Sequence, residues 1–92
     1  MLAMIDENYL NHPTFGLLFS VCRLEKDQAI FTTLYAQRLF FLVGTEAGSL
    51  SFNSISRQDA KGMVENRMRE LRRAGLPLEI QKLQVLYQQT FQ

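Results

Sequence analysis

The sequence predicts an α+β fold in which a small, strongly bent β-barrel of four or five strands is followed by two antiparallel helices. Residues 14–55 contain short runs of branched and aromatic residues separated by turn residues, which is typical of β-strands. After Ile55 the apolar residues recur every three or four positions, which is typical of helices. We therefore expect two domains, a β-domain over residues 1–55 and a helical hairpin over residues 56–92.

The β-domain is predicted from four apolar runs and the turns between them. A charged turn follows the first run, and a turn with a glycine at each end precedes the last, in which apolar and polar residues alternate. Short strands joined by tight turns favour a small barrel or a strongly bent sheet. The runs are residues 15–24, 30–35, 38–43 and 49–52, and a fifth short strand is expected near residues 54–55.

The two helices are predicted from their ends as well as from their periodicity. Ser56 with Asp59 three residues later is the pattern of a helix N-cap with an acidic partner. Gly75 is a typical C-terminal stop, and Pro77 suits the first turn of a second helix. Because the join over residues 74–77 is short, we expect the helices to lie antiparallel.

Length and composition exclude several classes of protein. Ninety-two residues are too few for an enzyme built around a cleft between two full-sized lobes. The single cysteine, Cys22, excludes an internal disulfide and a cysteine-based zinc site, and we expect it to be a small buried hydrophobe. The longest apolar run, residues 39–43, is too short to span a bilayer, and the N-terminus does not resemble a signal peptide. We therefore expect a cytoplasmic protein.

No arrangement of residues points to catalysis or to a bound metal or cofactor. His12, the only histidine, precedes Pro13 and has no sequence neighbour with which it could form a catalytic pair. We expect it to serve structure or an interface. Nucleotide-binding and metal-ligating motifs are missing, and the carboxylates are scattered. The sequence therefore predicts a protein that is not an enzyme.

Charge separates the two predicted domains. Residues 1–55 carry three basic and five acidic side chains, whereas residues 56–92 carry seven basic and four acidic ones. The basic run over residues 67–73 allows three interpretations: a solvated helix face with internal ion pairs, a surface that docks on acidic protein, or a contact with nucleic acid. A small nucleic-acid-binding module is thus the alternative function, although the net charge of +1 argues against strong binding of this kind.

The segment 34–41 is the candidate binding site. Two strands joined across residues 36–37 would bring Tyr35, Gln37, Arg38 and Leu39 to one hairpin edge. Side chains of a strand alternate between its two faces, so a small barrel does not bury all of its aromatic residues. Either the outward set forms a protein-binding patch, for which tyrosine and arginine are typical, or it packs beneath the helices.

Several blocks of the chain resemble the PipX family of small cyanobacterial proteins that interact with PII. The matching blocks are residues 9–18, 33–43, 64–67, 70–73 and 87–91. The resemblance extends from about Met4 to Phe91, and its departures fall in turns, where change is tolerated. Because the family begins after Ala3, Met1 and Met4 both stay candidates for the natural start.

The resemblance implies a Tudor-like β-domain followed by two helices, and a non-enzymatic adaptor without cofactors. Members of this family alternate between the trimeric PII signalling protein and NtcA, a dimeric transcription regulator that they coactivate. PII releases the adaptor when it binds 2-oxoglutarate with ATP and sequesters it in the ADP-bound state. The helices are implied to grip PII further and, in the complex with NtcA, to face other partners such as regulators or RNA polymerase, with no direct contact to DNA and no membrane.

The same resemblance implies that one surface of the β-domain serves both partners. Phe15, Leu17 and Phe41 are expected to be neighbours of that surface or part of the core. The matching positions of the surface are Glu7, Tyr9, Tyr35, Gln37, Arg38 and Leu39.

Overall fold

Five antiparallel strands precede two helices. A computed structural model describes residues 8–24, 27–33 and 39–91. Each strand pairs with its neighbours in sequence, in the order β1-β2-β3-β4-β5. The elements are β1 (Tyr9–His12), β2 (Gly16–Arg23), β3 (Ala29–Thr33), β4 (Phe40–Glu46), β5 (Ser49–Ile55), α1 (Arg57–Ala74) and α2 (Pro77–Phe91).

The predicted α+β fold is confirmed, with one difference in the strands. The predicted runs 49–52 and 54–55 form a single strand, β5, and the fifth strand is β1, which we did not predict. Tyr9–His12 has one aliphatic residue among polar and aromatic ones, so it lacks the apolar alternation of the other strands. Pairing with β2, from Tyr9↔Phe19 to His12↔Gly16, makes it a strand.

The sheet curls into a half-barrel with an apolar interior. The ring of His12 in β1 lies 5.0 Å from the ring of Phe52 in β5, so side chains of the first and last strands meet across the concave face. The concave face encloses the buried side chains of Leu18, Ala29, Phe31, Phe41 and Val43.

A second core lies between the convex face of the sheet and the helices. Phe40 is 1% exposed, and its ring stacks on that of Phe91 in α2 at 5.4 Å. The buried members of this core are Val21, Cys22, Ile30, Phe40, Ala60, Val64, Leu71, Leu83 and Phe91. The division into domains 1–55 and 56–92 stays a prediction, but the two parts pack against each other through this core.

A break in the pairing of β2 with β3 supplies two residues to the second core. Ser20 pairs with Phe31 and Cys22 with Ile30, which leaves Val21 as an extra residue in β2. In a β-bulge of this kind the strict alternation of faces is interrupted. Val21 and Cys22 consequently both pack toward the helices.

The helix ends follow the predicted pattern. The Ser56 hydroxyl accepts a hydrogen bond from the Asp59 backbone N–H at 2.9 Å. Gly75 has a left-handed φ of 72°, and its N–H donates to the Arg72 carbonyl.

A hydrogen bond joins the two helices. The Tyr87 hydroxyl of α2 donates to the Glu65 carboxylate of α1, and this hydrogen bond raises the pKa of Tyr87. No helix in the described ranges is long and apolar enough to cross a membrane.

Candidate functional site

Two of the six predicted binding residues lie in the described part of the chain, and both are exposed. Tyr9 is 56% exposed and Leu39 is 40% exposed, so both side chains are accessible to a partner. The other four, Glu7, Tyr35, Gln37 and Arg38, lie outside the described residues.

The strand ends on either side of residues 34–38 are held by hydrogen bonds. The Leu39 carbonyl accepts from the Thr32 hydroxyl at 2.8 Å and from the Thr33 backbone N–H at 3.2 Å. Backbone–backbone and side chain–backbone bonds thus anchor Leu39, while its side chain stays accessible. The described backbone at Thr33 and Leu39 is therefore hydrogen-bonded within the half-barrel.

Across the sheet, Tyr9 is in register with Phe40, which directly follows Leu39 in the chain. Tyr9 pairs with Phe19, which pairs with Thr32, which pairs with Phe40, so these residues share the convex face. Leu39 precedes Phe40 and by alternation faces the other side. Three strand spacings, roughly 14 Å along the sheet, separate Tyr9 from Leu39. The register does not bring the two residues into contact, and their side chains face opposite sides of the sheet.

His12 forms hydrogen bonds within the β1–β2 turn, and its ring packs at the adjacent end of the half-barrel. Its Nδ1 accepts hydrogen bonds from the backbone N–H groups of Thr14 at 3.0 Å and Phe15 at 3.2 Å. Its ring lies 5.0 Å from the rings of Phe15, Phe41 and Phe52. This role is structural, and it leaves Phe15 48% exposed.

Sequence reasoning did not find this aromatic cluster. His12 and Phe15 are close in sequence, but Phe41 and Phe52 reach them only because the sheet curls. The sequence signal was the pair His12-Pro13. It predicted an ordered turn but not the aromatic residues that pack against His12. Of the three residues expected to be neighbours of the binding surface or core, Phe41 is buried in the core, Leu17 is half-buried and Phe15 is exposed. Their position next to the binding surface stays a prediction.

Comparison with known families gives the identity of the chain. The model of one family, PipX (PII-interacting protein X), matches residues 6–91. The chain belongs to the PipX family. The match runs from before β1 to the end of α2 and includes all six predicted binding residues. A search of the curated proteins finds no match.

Cys22 in this PipX family member is a buried hydrophobe, as predicted. Its side chain is packed in the second core, and burial raises the pKa of its thiol to about 12. The thiol is therefore neutral at physiological pH and unsuited to be a nucleophile or a metal ligand. Within the described ranges, no three His, Cys, Asp or Glu side chains are placed to share a metal ion.

Alkylation of Cys22 tests this assignment. A pKa near 12 against an unfolded value of 9.0 leaves about a thousandfold less thiolate in the folded chain below pH 9. We expect iodoacetamide at pH 8 to react with the urea-unfolded protein at least about a hundredfold faster than with the native protein. Mass spectrometry of timed samples measures both rates, and equal rates would contradict burial of the thiol.

The basic run of α1 forms contacts along its own helix. The Arg67 guanidinium lies 3.1 Å from the Glu70 carboxylate, and Arg69 donates to the side-chain carbonyl of Asn66. These contacts agree with the interpretation of residues 67–73 as a solvated helix face with internal ion pairs. In this PipX family member they favour that reading over a nucleic-acid contact.

Proposed function

We propose that this chain is a non-enzymatic signalling adaptor that binds PII through one end of its half-barrel. The observation that carries the proposal is the PipX family match over residues 6–91. Exposed Tyr9 supports the site, because tyrosine is enriched in protein interfaces. The proposed binding residues are Glu7, Tyr9, Tyr35, Gln37, Arg38 and Leu39.

The same surface is proposed to bind the transcription regulator NtcA, so that the two partners exclude each other. A chain of 92 residues offers a small exposed area, and a standard interface takes about 800 Å² of it. Overlapping footprints of PII and NtcA are the simplest way for one small surface to serve two larger proteins. The remaining surface of the helices is proposed to reach other regulators or RNA polymerase.

Carbon and nitrogen status is proposed to act through the partners and not through a ligand of this chain. 2-Oxoglutarate with ATP releases the adaptor from PII, and the released adaptor coactivates NtcA; ADP-bound PII sequesters it. A coupling free energy of about 1–3 kcal/mol between effector and adaptor binding is enough to switch partners at cellular concentrations. We propose that this exchange takes place in the cytoplasm of a cyanobacterium, without direct contact to DNA.

Capture on immobilised PII tests the proposal. We expect the chain to be retained by PII with ADP and to be released when ATP and 2-oxoglutarate replace ADP. Immobilised NtcA should retain it with 2-oxoglutarate, and excess ADP-bound PII should displace it. No retention on PII under any nucleotide condition would refute the adaptor function, and simultaneous binding of both partners would refute the shared surface.

A further inference from the structure

The outer edge of β5 has none of the devices that usually protect the edge of a sheet. Among the described residues β5 pairs on one side only, with β4, and no backbone pairing with β1 closes the half-barrel. β5 has seven residues without a charged side chain or a proline, and its pairing with β4 contains no bulge. Natural proteins guard strand edges with charged residues, proline, bulges or very short strands. β1, the other outer strand, has four residues and is followed by Pro13.

The β4–β5 turn decides which backbone groups of β5 point to this edge. Ala47 and Gly48 have positive φ values of 51° and 83°, which is the geometry of a two-residue hairpin turn. The pair that closes such a turn, here Glu46 with Ser49, exchanges both backbone hydrogen bonds, and non-bonded and bonded pairs then alternate along the ladder. The β5 residues of the non-bonded pairs, whose N–H and C=O groups point away from β4 and form what we call the β5 edge, are Leu50, Phe52 and Ser54.

The apolar interior of the half-barrel is incompletely covered beside the β5 edge. The half-buried hydrophobic side chains that pack on the concave core come from the two outer strands, Leu10 from β1 and Leu50 and Phe52 from β5. Asn53 and Ser54 are exposed, so solvent reaches the backbone of β5. A strand added here would pair with the β5 edge and cover apolar surface with every second side chain.

We propose that the β5 edge binds an extended peptide segment of a partner protein as an additional antiparallel strand, in which apolar and polar residues alternate. The apolar side chains of the segment would lie beside Leu50 and Phe52 on the concave face. Its polar side chains would lie beside Ser51 and Asn53, on the face where β5 is polar. Because β5 carries no charge, backbone hydrogen bonds and apolar contacts would supply the affinity. The site goes beyond the proposed function, since no residue of β5 is among the proposed PII-binding residues.

A pair of N-methylated peptides tests this site. The probe is a short, fluorescein-labelled peptide of alternating threonine and valine with lysine at both ends, and its anisotropy is followed without PII. Residues opposite Leu50 and Phe52 would direct both their N–H groups to β5 and their side chains to the concave face, which favours valine there. We expect saturable binding that methylation of the valine nitrogens weakens about tenfold or more. Methylation of an equal number of threonine nitrogens should change affinity by less than about threefold.

Ser54→Pro tests the same edge from the side of the protein. The Ser54 N–H points away from β4, so proline at this position removes a donor of the edge without loss of a β4–β5 hydrogen bond. We expect Ser54→Pro to weaken binding of the unmethylated probe about fivefold or more. Ser54→Ala is the matched control because it keeps the N–H, and its affinity should stay within about twofold of the wild type. The two methylated peptides decide the question even if Ser54→Pro does not fold.

Amide hydrogen exchange followed by NMR shows whether the edge is free before the probe is added. The amides of Leu50, Phe52 and Ser54 should exchange rapidly in the chain alone and slowly with the probe. The amides of Ser51 and Asn53 point to β4 and should be protected in both states. Protection of the edge amides in the free chain would show that the edge is already covered, by the chain itself or, if protection rises with concentration, by a second copy. Either result, absence of saturable binding below about 1 mM, or equal binding of the two methylated peptides would overturn the proposal.

Discussion

Replacement of Phe40 by alanine is expected to destabilise the protein by about 3–5 kcal/mol. The Phe40 side chain is 1% exposed and stacks on Phe91, so its removal leaves a cavity between the sheet and α2. Small domains have about 5–15 kcal/mol of stability in total, so this single change takes a large share of it. Urea unfolding followed by far-ultraviolet circular dichroism measures the loss as a lower transition midpoint.

Phe15→Ala is the matched control, because it removes the same atoms from a ring that is 48% exposed. We expect Phe15→Ala to cost less than half as much as Phe40→Ala. If Phe40→Ala does not fold, Phe40→Leu and Phe15→Leu are compared instead, with an expected cost of about 1 kcal/mol at Phe40 and less than half of that at Phe15. Equal losses at the two positions would contradict the assignment of Phe40 to the core between sheet and helices.

Alanine variants at the half-barrel end are expected to weaken PII binding without loss of stability. Tyr35→Ala and Arg38→Ala should each reduce affinity by about thirtyfold or more, which corresponds to a hot-spot cost of at least about 2 kcal/mol. Tyr9→Ala and Leu39→Ala should weaken binding to a smaller extent. Binding of PII in the presence of ADP is measured by surface plasmon resonance, and the same variants should lose affinity for NtcA.

Two controls accompany these variants. Glu46→Ala changes an exposed residue at the other end of β4, roughly 20 Å along the strand from Leu39, and should bind PII like the wild type. Unfolding free energies of the binding variants should lie within about 0.5 kcal/mol of the wild type. A large loss of stability in Tyr35→Ala would assign that residue to the core, and an equal effect of Glu46→Ala would refute the location of the surface.

The helical half of the fold could be predicted in detail because its signals are local. Ser56, Asp59 and Gly75 mark the ends of α1 through contacts within a few residues of each other. The strands were less predictable. Residues Tyr9–His12 become a strand only by pairing with β2. Their own residue pattern does not show that partner, so the strand could not be predicted from it.

The candidate site could be predicted in part. A tyrosine and an arginine between two apolar runs, together with the family resemblance, pointed to the β3–β4 connection. The structure adds that the Leu39 backbone is anchored while its side chain is exposed.

The sequence by itself determined the type of every element except β1, the order of sheet and helices, and membership of the PipX family. Periodicity, capping residues and turn residues act over a few positions, so they can be read without the fold. Only the tertiary structure decided which core each aromatic residue joins. Phe40 and Phe41 are adjacent, yet one packs on α2 and the other lies inside the half-barrel beside His12. The two side chains alternate along β4, but the helices that cover one face and the curvature that encloses the other depend on contacts between distant parts of the chain.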